Sequence, residues 1–262
     1  MKYLIKLKPA FIIVITSILT AFIAGGIVLW IGISYSEANQ KFFTFLSFII
    51  GQGFMIIPLI LYLKYNKIPI LSSIRLNPIS YNIILYTILL SIGIIILSDE
   101  IDRIIQYFIP APEYINDLND ILRPETFYGL VLLFIAVAIL APLGEEIIFR
   151  GFLQQILEMH WKDITRAVLF TALLFSIIHM NPYWFAQIYI LGVILGFLAW
   201  KTKSVIPPLI LHGLNNSMAM ALSFSESINN NIYLWNNHVA PWFIIIAVIS
   251  IVIGFKGINK LH

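Results

Sequence analysis

Eight apolar runs, most of them long enough to cross a lipid bilayer, constrain this chain more than any other feature. They fall near residues 10–34, 42–63, 82–98, 126–159, 164–180, 182–200, 205–223 and 239–256. A membrane-spanning helix needs about 20 mainly apolar residues. The chain is 60% hydrophobic and only 11% charged, whereas soluble domains are about 25% charged. We therefore predict an all-α polytopic membrane protein, a bundle of about eight transmembrane helices that forms a single domain over residues 1–262.

Basic residues lie in alternate connections, and this pattern predicts the orientation of the chain. Lys2, Lys6 and Lys8 precede the first run, and further Lys and Arg follow the second, fourth, sixth and eighth runs. Cytoplasmic loops of membrane proteins are enriched in these residues. We predict a multi-pass protein of the cell membrane with both termini in the cytoplasm. The high content of Ile, Asn and Lys is typical of an AT-rich genome and suggests a bacterial cytoplasmic membrane.

A long acidic connection, residues 99–125, separates the third run from the fourth. Ile101, Ile104 and Phe108 recur within it at helical spacing, and Pro110 would end that helix. Two interpretations remain open for this segment. It is either an amphipathic helix at the outer membrane interface or an acidic surface loop.

Three charged residues interrupt the fourth apolar run, where each costs about 2.5–3.5 kcal/mol to place in a membrane helix. Glu146 and Arg150 are four residues apart with the acid first, which favours an ion pair on one helix face. Glu145 lies about 100° round the helix and is a carboxylate outside that pair. Pro142 cannot donate a backbone hydrogen bond, so we expect an unpaired carbonyl at Ala138 and a kink. Helix packing alone is an alternative explanation of these charges.

Two later runs carry histidine. His179 follows Phe175 by one helical turn, and His212 and Asn216 share one face of another helix. A single buried His is often only a packing group. Counting along the helices places Glu145 and His179 at about the same depth, roughly 25 Å from the turn that joins their runs. His212 reaches that depth only if this turn projects some 10 Å further into the cytoplasm.

If these groups converge, they fit the hydrolysis of an amide. A carboxylate beside an imidazole, Glu145 with His179, can activate water, and His212 with Asn216 can stabilise the oxyanion. A competing possibility is a zinc site with Glu145, His179 and His212 as ligands. The chain lacks an H-E-x-x-H motif and has no cysteine, so chemistry without a cofactor is our preferred expectation.

The sequence resembles the CPBP family of intramembrane proteases, the CAAX-processing and bacteriocin-processing (Abi) group, and is similar to type II CAAX prenyl endopeptidases. The resemblance rests on three motifs within residues 125–222: E-E-x-x-x-R, F-x-x-x-H and H-x-x-x-N. It implies an eight-helix endopeptidase whose active site lies between the fourth, fifth and seventh spans. It further implies N-terminal spans and an outer loop over 1–124, a catalytic core over 125–222, and a final loop and span over 223–262.

The resemblance also assigns roles to residues. Glu145 and His179 would activate water, His212 and Asn216 would stabilise the oxyanion, and three residues would support them, namely Glu146, Arg150 and Phe175. Some members of the family are called metalloproteases, whereas others resemble glutamate proteases that need no metal.

The expected substrate is a membrane-associated peptide or protein within the lipid bilayer, in bacterial peptide maturation or in bacteriocin processing and self-immunity. A non-catalytic immunity or scaffold protein of the same fold is the main alternative. A transporter is less favoured because the chain shows no paired repeats with broken helices. The net charge of +3 is small and scattered, which argues against nucleic acid as a partner. The sequence does not indicate an oligomeric state.

Overall fold

Helices make up nearly all of the structure, a computed structural model that describes residues 5–35, 40–224 and 232–260. The α-helices are α1 Leu7–Tyr35, α2 Gln40–Met55, α3 Ile57–Tyr65, α4 Ile70–Ser73, α5 Tyr81–Phe108, α6 Glu113–Leu122, α7 Phe127–Phe134, α8 Ala141–Glu146, α9 Gln154–Trp161, α10 Ile164–Ile178, α11 Phe185–Thr202, α12 Ile206–Phe224 and α13 Pro241–Lys260. Two π-helical segments, π1 Ile135–Leu140 and π2 Ile147–Leu153, join α7, α8 and α9 into one continuous helix.

Six helical stretches of the described residues are long and apolar enough to cross a membrane. They are Leu7–Ser34, Gln40–Tyr65, Tyr81–Phe108, Phe127–Trp161, Phe185–Thr202 and Pro241–Lys260. α10 is apolar but has only 15 residues, and the more polar α12 is not among the six. Large apolar side chains such as Ile23 and Trp30 lie on the outside, as expected for a surface that faces lipid. The polytopic all-α class is confirmed, whereas the count of eight spans stays a prediction.

The third span is longer than predicted. α5 continues unbroken from Tyr81 to Phe108, so the expected boundary near residue 98 is wrong. The apolar positions Ile101 and Ile104 lie on its last turns rather than on a separate interfacial helix. Pro112 then begins a second, shorter helix, α6, whose Ile115 is buried. The connection 99–125 is therefore the end of a span followed by a short amphipathic helix.

A small hairpin closes the last connection against α5. β1 Leu234–Trp235 pairs antiparallel with β2 His238–Val239. Glu100 of α5 accepts hydrogen bonds from His238 Nδ1 and from the backbone N–H of Val239, over 2.9 and 2.7 Å. The acidic residues near position 100 thus hold the hairpin in place. The N-terminal Lys2 and residues 225–231 of this connection lie outside the described residues.

Glycines allow two helix pairs to approach closely. A Cβ built on Gly25 of α1 would lie 2.9 Å from the carbonyl oxygen of Ser47 in α2. A Cβ on Gly254 of α13 would lie 2.7 Å from the backbone nitrogen of Leu90 in α5. The largest buried cluster of the described residues lies between α1, α3, π2, α9 and α10, beside the charged residues of the fourth span.

Candidate active site

The helix that carries Glu145 is widened just before it. In π1 the backbone N–H of Ala141 bonds to the carbonyl five residues earlier, instead of four. Continuing this pattern by one residue, the carbonyl that faces Pro142 is that of Val137, whereas the spacing of a regular α-helix points to Ala138. The unpaired carbonyl at Ala138 stays a prediction. Asn216 Nδ2 donates to the Val137 oxygen over 3.0 Å. The Asn216 side chain of α12 therefore occupies the place of the backbone N–H that Pro142 lacks.

Glu145 meets two imidazoles at a single oxygen atom. Glu145 Oε2 lies 4.0 Å from His179 Nε2 and 3.8 Å from His212 Nε2. The Glu145 side chain is only 10% exposed, and its Oε2 has no hydrogen-bond partner among the residues described. Both separations exceed the length of a direct hydrogen bond. The structure thus brings together the three groups that the sequence placed on three different helices.

The other ring nitrogens of the two histidines are held by acceptors, and this fixes the tautomers. His179 Nδ1 lies 2.7 Å from the carbonyl oxygen of Phe175, which can only accept, so this nitrogen carries the hydrogen. His212 Nδ1 lies 2.9 Å from Glu146 Oε1, and it donates to that carboxylate. In the neutral form of each ring, the Nε2 lone pair therefore faces Glu145.

Glu146 and Arg150 form the ion pair that their spacing predicts. Arg150 Nη1 donates to Glu146 Oε1 over 2.8 Å, and both side chains are buried. Arg150 Nη2 also donates to the carbonyl of Gly192, over 3.2 Å. Its guanidinium carbon lies 4.0 Å from the centre of the Phe175 ring. The same ring lies edge-on to His179, with centroids 4.7 Å apart, so Phe175 contacts both the ion pair and the imidazole.

A second polar layer lies one turn further along the fourth span, and sequence reasoning missed it. Gln154 Nε2 donates to the carbonyl of Gly196 over 2.9 Å and to Glu158 over 2.9 Å. Arg75 forms an ion pair with Glu158, whereas its position after the second apolar run predicts only a cytoplasmic loop charge. The spacing of the residues was a signal for this layer. Arg150 and Gln154 are four residues apart, and so are Gly192 and Gly196 of the G-x-x-x-G motif in α11. Arg150 binds the carbonyl of Gly192, and Gln154 binds that of Gly196.

Two cavities lie on the α12 side of the site. One, of about 330 Å³, is lined by Glu145, His179 and His212 together with residues of α6, π1, α11 and α12, and we call it the α12 cavity. A more polar neighbour is lined by Asp99, Asp102 and residues of α11 and α12, and it shares part of its wall with the α12 cavity. The reactive groups are therefore reachable from inside the bundle.

Hydrogen bonds at the end of α5 hold the acidic residues that line the more polar cavity. Gln187 Nε2 donates to Asp102 over 2.9 Å, and Tyr233, beside the hairpin, donates its hydroxyl to Asp99 over 2.9 Å. Burial raises the pKa of Tyr233 well above its ordinary value, and the charge of Asp99 raises that pKa further. The Tyr233 hydroxyl therefore stays a hydrogen-bond donor throughout the physiological pH range.

The donor types at the site are suitable for zinc, since a carboxylate and two imidazoles are ligands found at catalytic zinc. Their arrangement is less suitable. Within residues 5–35, 40–224 and 232–260, no group of three or more His, Asp or Glu has the geometry to hold a metal ion. In this arrangement His212 Nδ1 is engaged by Glu146 and His179 Nδ1 by a carbonyl, which leaves the two Nε2 atoms and Glu145 as the available donors.

The segment that carries these groups matches a known protein family. A family model described as type II CAAX prenyl endopeptidase Rce1-like matches residues 127–218, about a third of the chain. This part of the chain is similar to the CAAX protease family. The CAAX protease segment begins with α7 and ends within α12, so it contains all three motifs of the sequence analysis. No curated protein and no solved structure matched the chain.

The match bears out the predicted resemblance to this family, and the apolar helices support a multi-pass membrane protein. The N-terminal helices α1–α6 and the last helix α13 lie outside the CAAX protease segment. α1, α2 and α6 nevertheless contribute walls to the cavities at Glu145. The catalytic roles predicted for Glu145, His179, His212 and Asn216 stay predictions.

Proposed function

We propose that the chain is an intramembrane endopeptidase in which Glu145 activates a water molecule for attack on a peptide carbonyl. One observation supports this most strongly: the Nε2 atoms of His179 and His212 both lie within 4.0 Å of the same buried oxygen of Glu145. That oxygen has no direct hydrogen-bond partner among the described residues, although buried polar atoms in proteins usually have one. An orphan carboxylate oxygen between two imidazoles, on a cavity wall, is the arrangement that water activation requires.

The proposed reaction starts with a water molecule bound between Glu145 and His179. The neutral His179 ring, held through its Nδ1–H by the Phe175 carbonyl, accepts a hydrogen bond from the water at Nε2 and orients it. Glu145 takes a proton as the water oxygen bonds to the carbonyl carbon. The protonated Glu145 then gives that proton to the amide nitrogen as the C–N bond breaks. The products are a carboxylic acid and an amine, and Glu145 is again a carboxylate.

His212 and Asn216 are proposed to stabilise the oxyanion. In this proposal the carboxylate of Glu146 accepts from His212 Nδ1–H, and a protonated His212 donates its Nε2–H to the developing charge. Asn216 has two amide hydrogens. One bonds to Val137, and the other is available to the oxyanion on the wall of the α12 cavity. Arg150 holds the Glu146 carboxylate in position through their ion pair.

The proposed substrate is a membrane-associated peptide or protein, because the site lies within apolar helices. In a bacterium this would be a peptide precursor, in peptide maturation or in bacteriocin processing and self-immunity. The prenylated substrates in the name of the matched family model are not expected in such a cell. A non-catalytic immunity or scaffold function is the second candidate, and it differs from the first in requiring no Glu145 carboxylate.

Glu145→Gln tests the proposal. It keeps the size of the side chain but removes the base, so we expect cleavage to fall by about 10²–10⁴-fold while the protein stays folded. The measurement compares peptides and membrane-protein termini in cells with wild-type or variant protein at matched expression. Glu125→Gln is the matched control, since Glu125 is an exposed residue paired with Lys41. Identical profiles with biological activity retained would instead support the immunity or scaffold function.

The metal question needs a separate measurement on purified protein. The water-only mechanism predicts that cleavage persists in the presence of a chelator and that elemental analysis finds no stoichiometric metal. Loss of cleavage on chelation, restored by Zn²⁺, would support the zinc version with Glu145, His179 and His212 as ligands.

A further inference from the structure

A third cavity also reaches Glu145, between helices that lie outside the CAAX protease segment. It measures about 480 Å³ and is lined by α1 and α2 together with the end of α10, and we call it the α1–α2 cavity. Glu145 and His179 border both this cavity and the α12 cavity, and they are the residues that the two linings share. The reactive carboxylate therefore lies at a junction between two spaces with otherwise different walls.

The glycines in the wall of the α1–α2 cavity do not all serve helix packing. Gly25 and Gly51 are needed where α1 meets α2, because a Cβ on either would lie 2.9 Å from a backbone oxygen of the other helix. Gly26 is different, since a Cβ built on it would have no described atom within 4 Å. A glycine inside a helix costs about 0.5–1 kcal/mol relative to alanine. At Gly26 its effect is to leave volume open in the cavity.

A residue in the wall of this cavity also carries an unsatisfied polar atom. Gln52 Oε1 of α2 is buried and has no hydrogen-bond partner among the described residues. It lies against the turn of Glu145, since a Cβ built on Gly144 would be 3.7 Å from this oxygen. A carboxamide both donates and accepts, which matches the N–H and C=O of a peptide group. Gln52 is thus placed to bind a polypeptide backbone beside Glu145.

We propose that the substrate occupies both cavities at once. The segment on one side of the cleaved bond lies in the α12 cavity, and the segment on the other side lies in the α1–α2 cavity, where Gln52 binds a peptide group. The cleaved bond is held at the junction, beside Glu145 and His179. This inference rests on the proposed endopeptidase function, which requires polypeptide on both sides of the bond. It assigns substrate binding to α1 and α2, outside the family match.

Gly26→Leu tests the inference by placing a large side chain in the α1–α2 cavity, at a position where a built Cβ meets no described atom. Gly53→Leu is the matched control, because Gly53 also lies in a helix with no described atom within 4 Å of a built Cβ but does not line the cavity. Purified proteins in nanodiscs are given a peptide mixture from a digested membrane proteome, and cleavage sites are read by mass spectrometry. For Gly26→Leu we expect cleavage to fall at least tenfold at sites that have large residues on one particular side of the cleaved bond. Cleavage at sites with large residues on the other side should not change.

Gly53→Leu should keep the wild-type preference. An unchanged preference in Gly26→Leu, or an equal loss on both sides as expected if the cavity holds a lipid chain, would overturn the inference while leaving the protease proposal intact. If the wild-type protein shows no cleavage that depends on Glu145, the protease proposal itself fails, and the inference fails with it.

Gln52→Leu and a crosslink give independent readouts. Gln52→Leu removes one hydrogen bond to the bound peptide, so it should raise KM about five- to tenfold with little change in kcat. The chain has no cysteine, so Gly26→Cys in the Glu145→Gln background carries a single thiol. It should crosslink to an uncut peptide that carries a thiol-reactive residue near the bond, whereas Gly53→Cys should not. Equal crosslinking of both variants, or none, would contradict the inference.

Discussion

Arg150 is a fully buried guanidinium inside a membrane-spanning helix, and three different contacts hold it there. It pairs with Glu146, donates to the carbonyl of Gly192 and lies against the ring of Phe175. The pair is not expected to stabilise the fold on balance, because removing two charges from water costs about as much as their attraction returns. The pair instead holds the Glu146 carboxylate in position beside His212.

Arg150→Ala should therefore lower the free energy of unfolding by about 3–5 kcal/mol, since Glu146 is left buried without its cation. Thermal unfolding in detergent and the abundance of the protein in membranes would measure this. Arg166→Ala is the control, because Arg166 is an exposed arginine on the neighbouring helix α10 and should change stability by less than about 1 kcal/mol. Normal stability of Arg150→Ala would contradict the buried ion pair.

At the scale of the helix, the link between Pro142 and Asn216 makes a second prediction. Asn216→Ala should cost about 1–3 kcal/mol of stability, because the Val137 carbonyl loses its donor. Adding Pro142→Ala supplies a backbone N–H at that place, so the double variant should recover stability but not cleavage. Unfolding of the single and double variants in detergent, together with peptide cleavage, would separate the two roles of Asn216.

The control for this pair of substitutions is Ser217→Ala. The Ser217 hydroxyl donates to the carbonyl of Gly213 in its own helix, so its loss should change stability by less than about 0.5 kcal/mol. If Pro142→Ala does not restore the stability of the Asn216 variant, the carbonyl of Val137 is not what connects the two helices.

Local spacing predicted the parts of the site that lie on one helix. Glu146 and Arg150 were recognisable because residues four apart share a helix face. The contact between Glu146 and His212 was not, since it depends on the packing of helices 66 residues apart in sequence. The helical register at Pro142 could not be predicted from the local sequence either, because nothing in the composition of residues 135–140 marks a π-helix. Long-range packing and helix widening thus set the geometry that motifs cannot give.

At the scale of the whole molecule, the orientation in the membrane is the clearest open prediction. The positive-inside pattern places Lys64 in the cytoplasm and the acidic helix α6, with Asp117, outside. A membrane-impermeant thiol reagent should label Asp117→Cys in intact cells and Lys64→Cys only after permeabilisation. The wild-type chain, which has no cysteine, is the blank. The reverse pattern of labelling would invert the orientation and place both termini outside.

The π-helical segments also bear on how a gene for such a protein can change length. A π-helical turn holds one more residue than an α-helical turn, so each segment rotates the following helix by about 100° relative to a regular α-helix. Removing one codon within 135–140 would return the helix to its regular form and turn Glu145 away from both imidazoles. Such a deletion would keep every motif and nearly all of the hydropathy, yet the site would be lost. Among homologous sequences, a one-residue gap at this position is therefore as informative as a substitution of Glu145 itself.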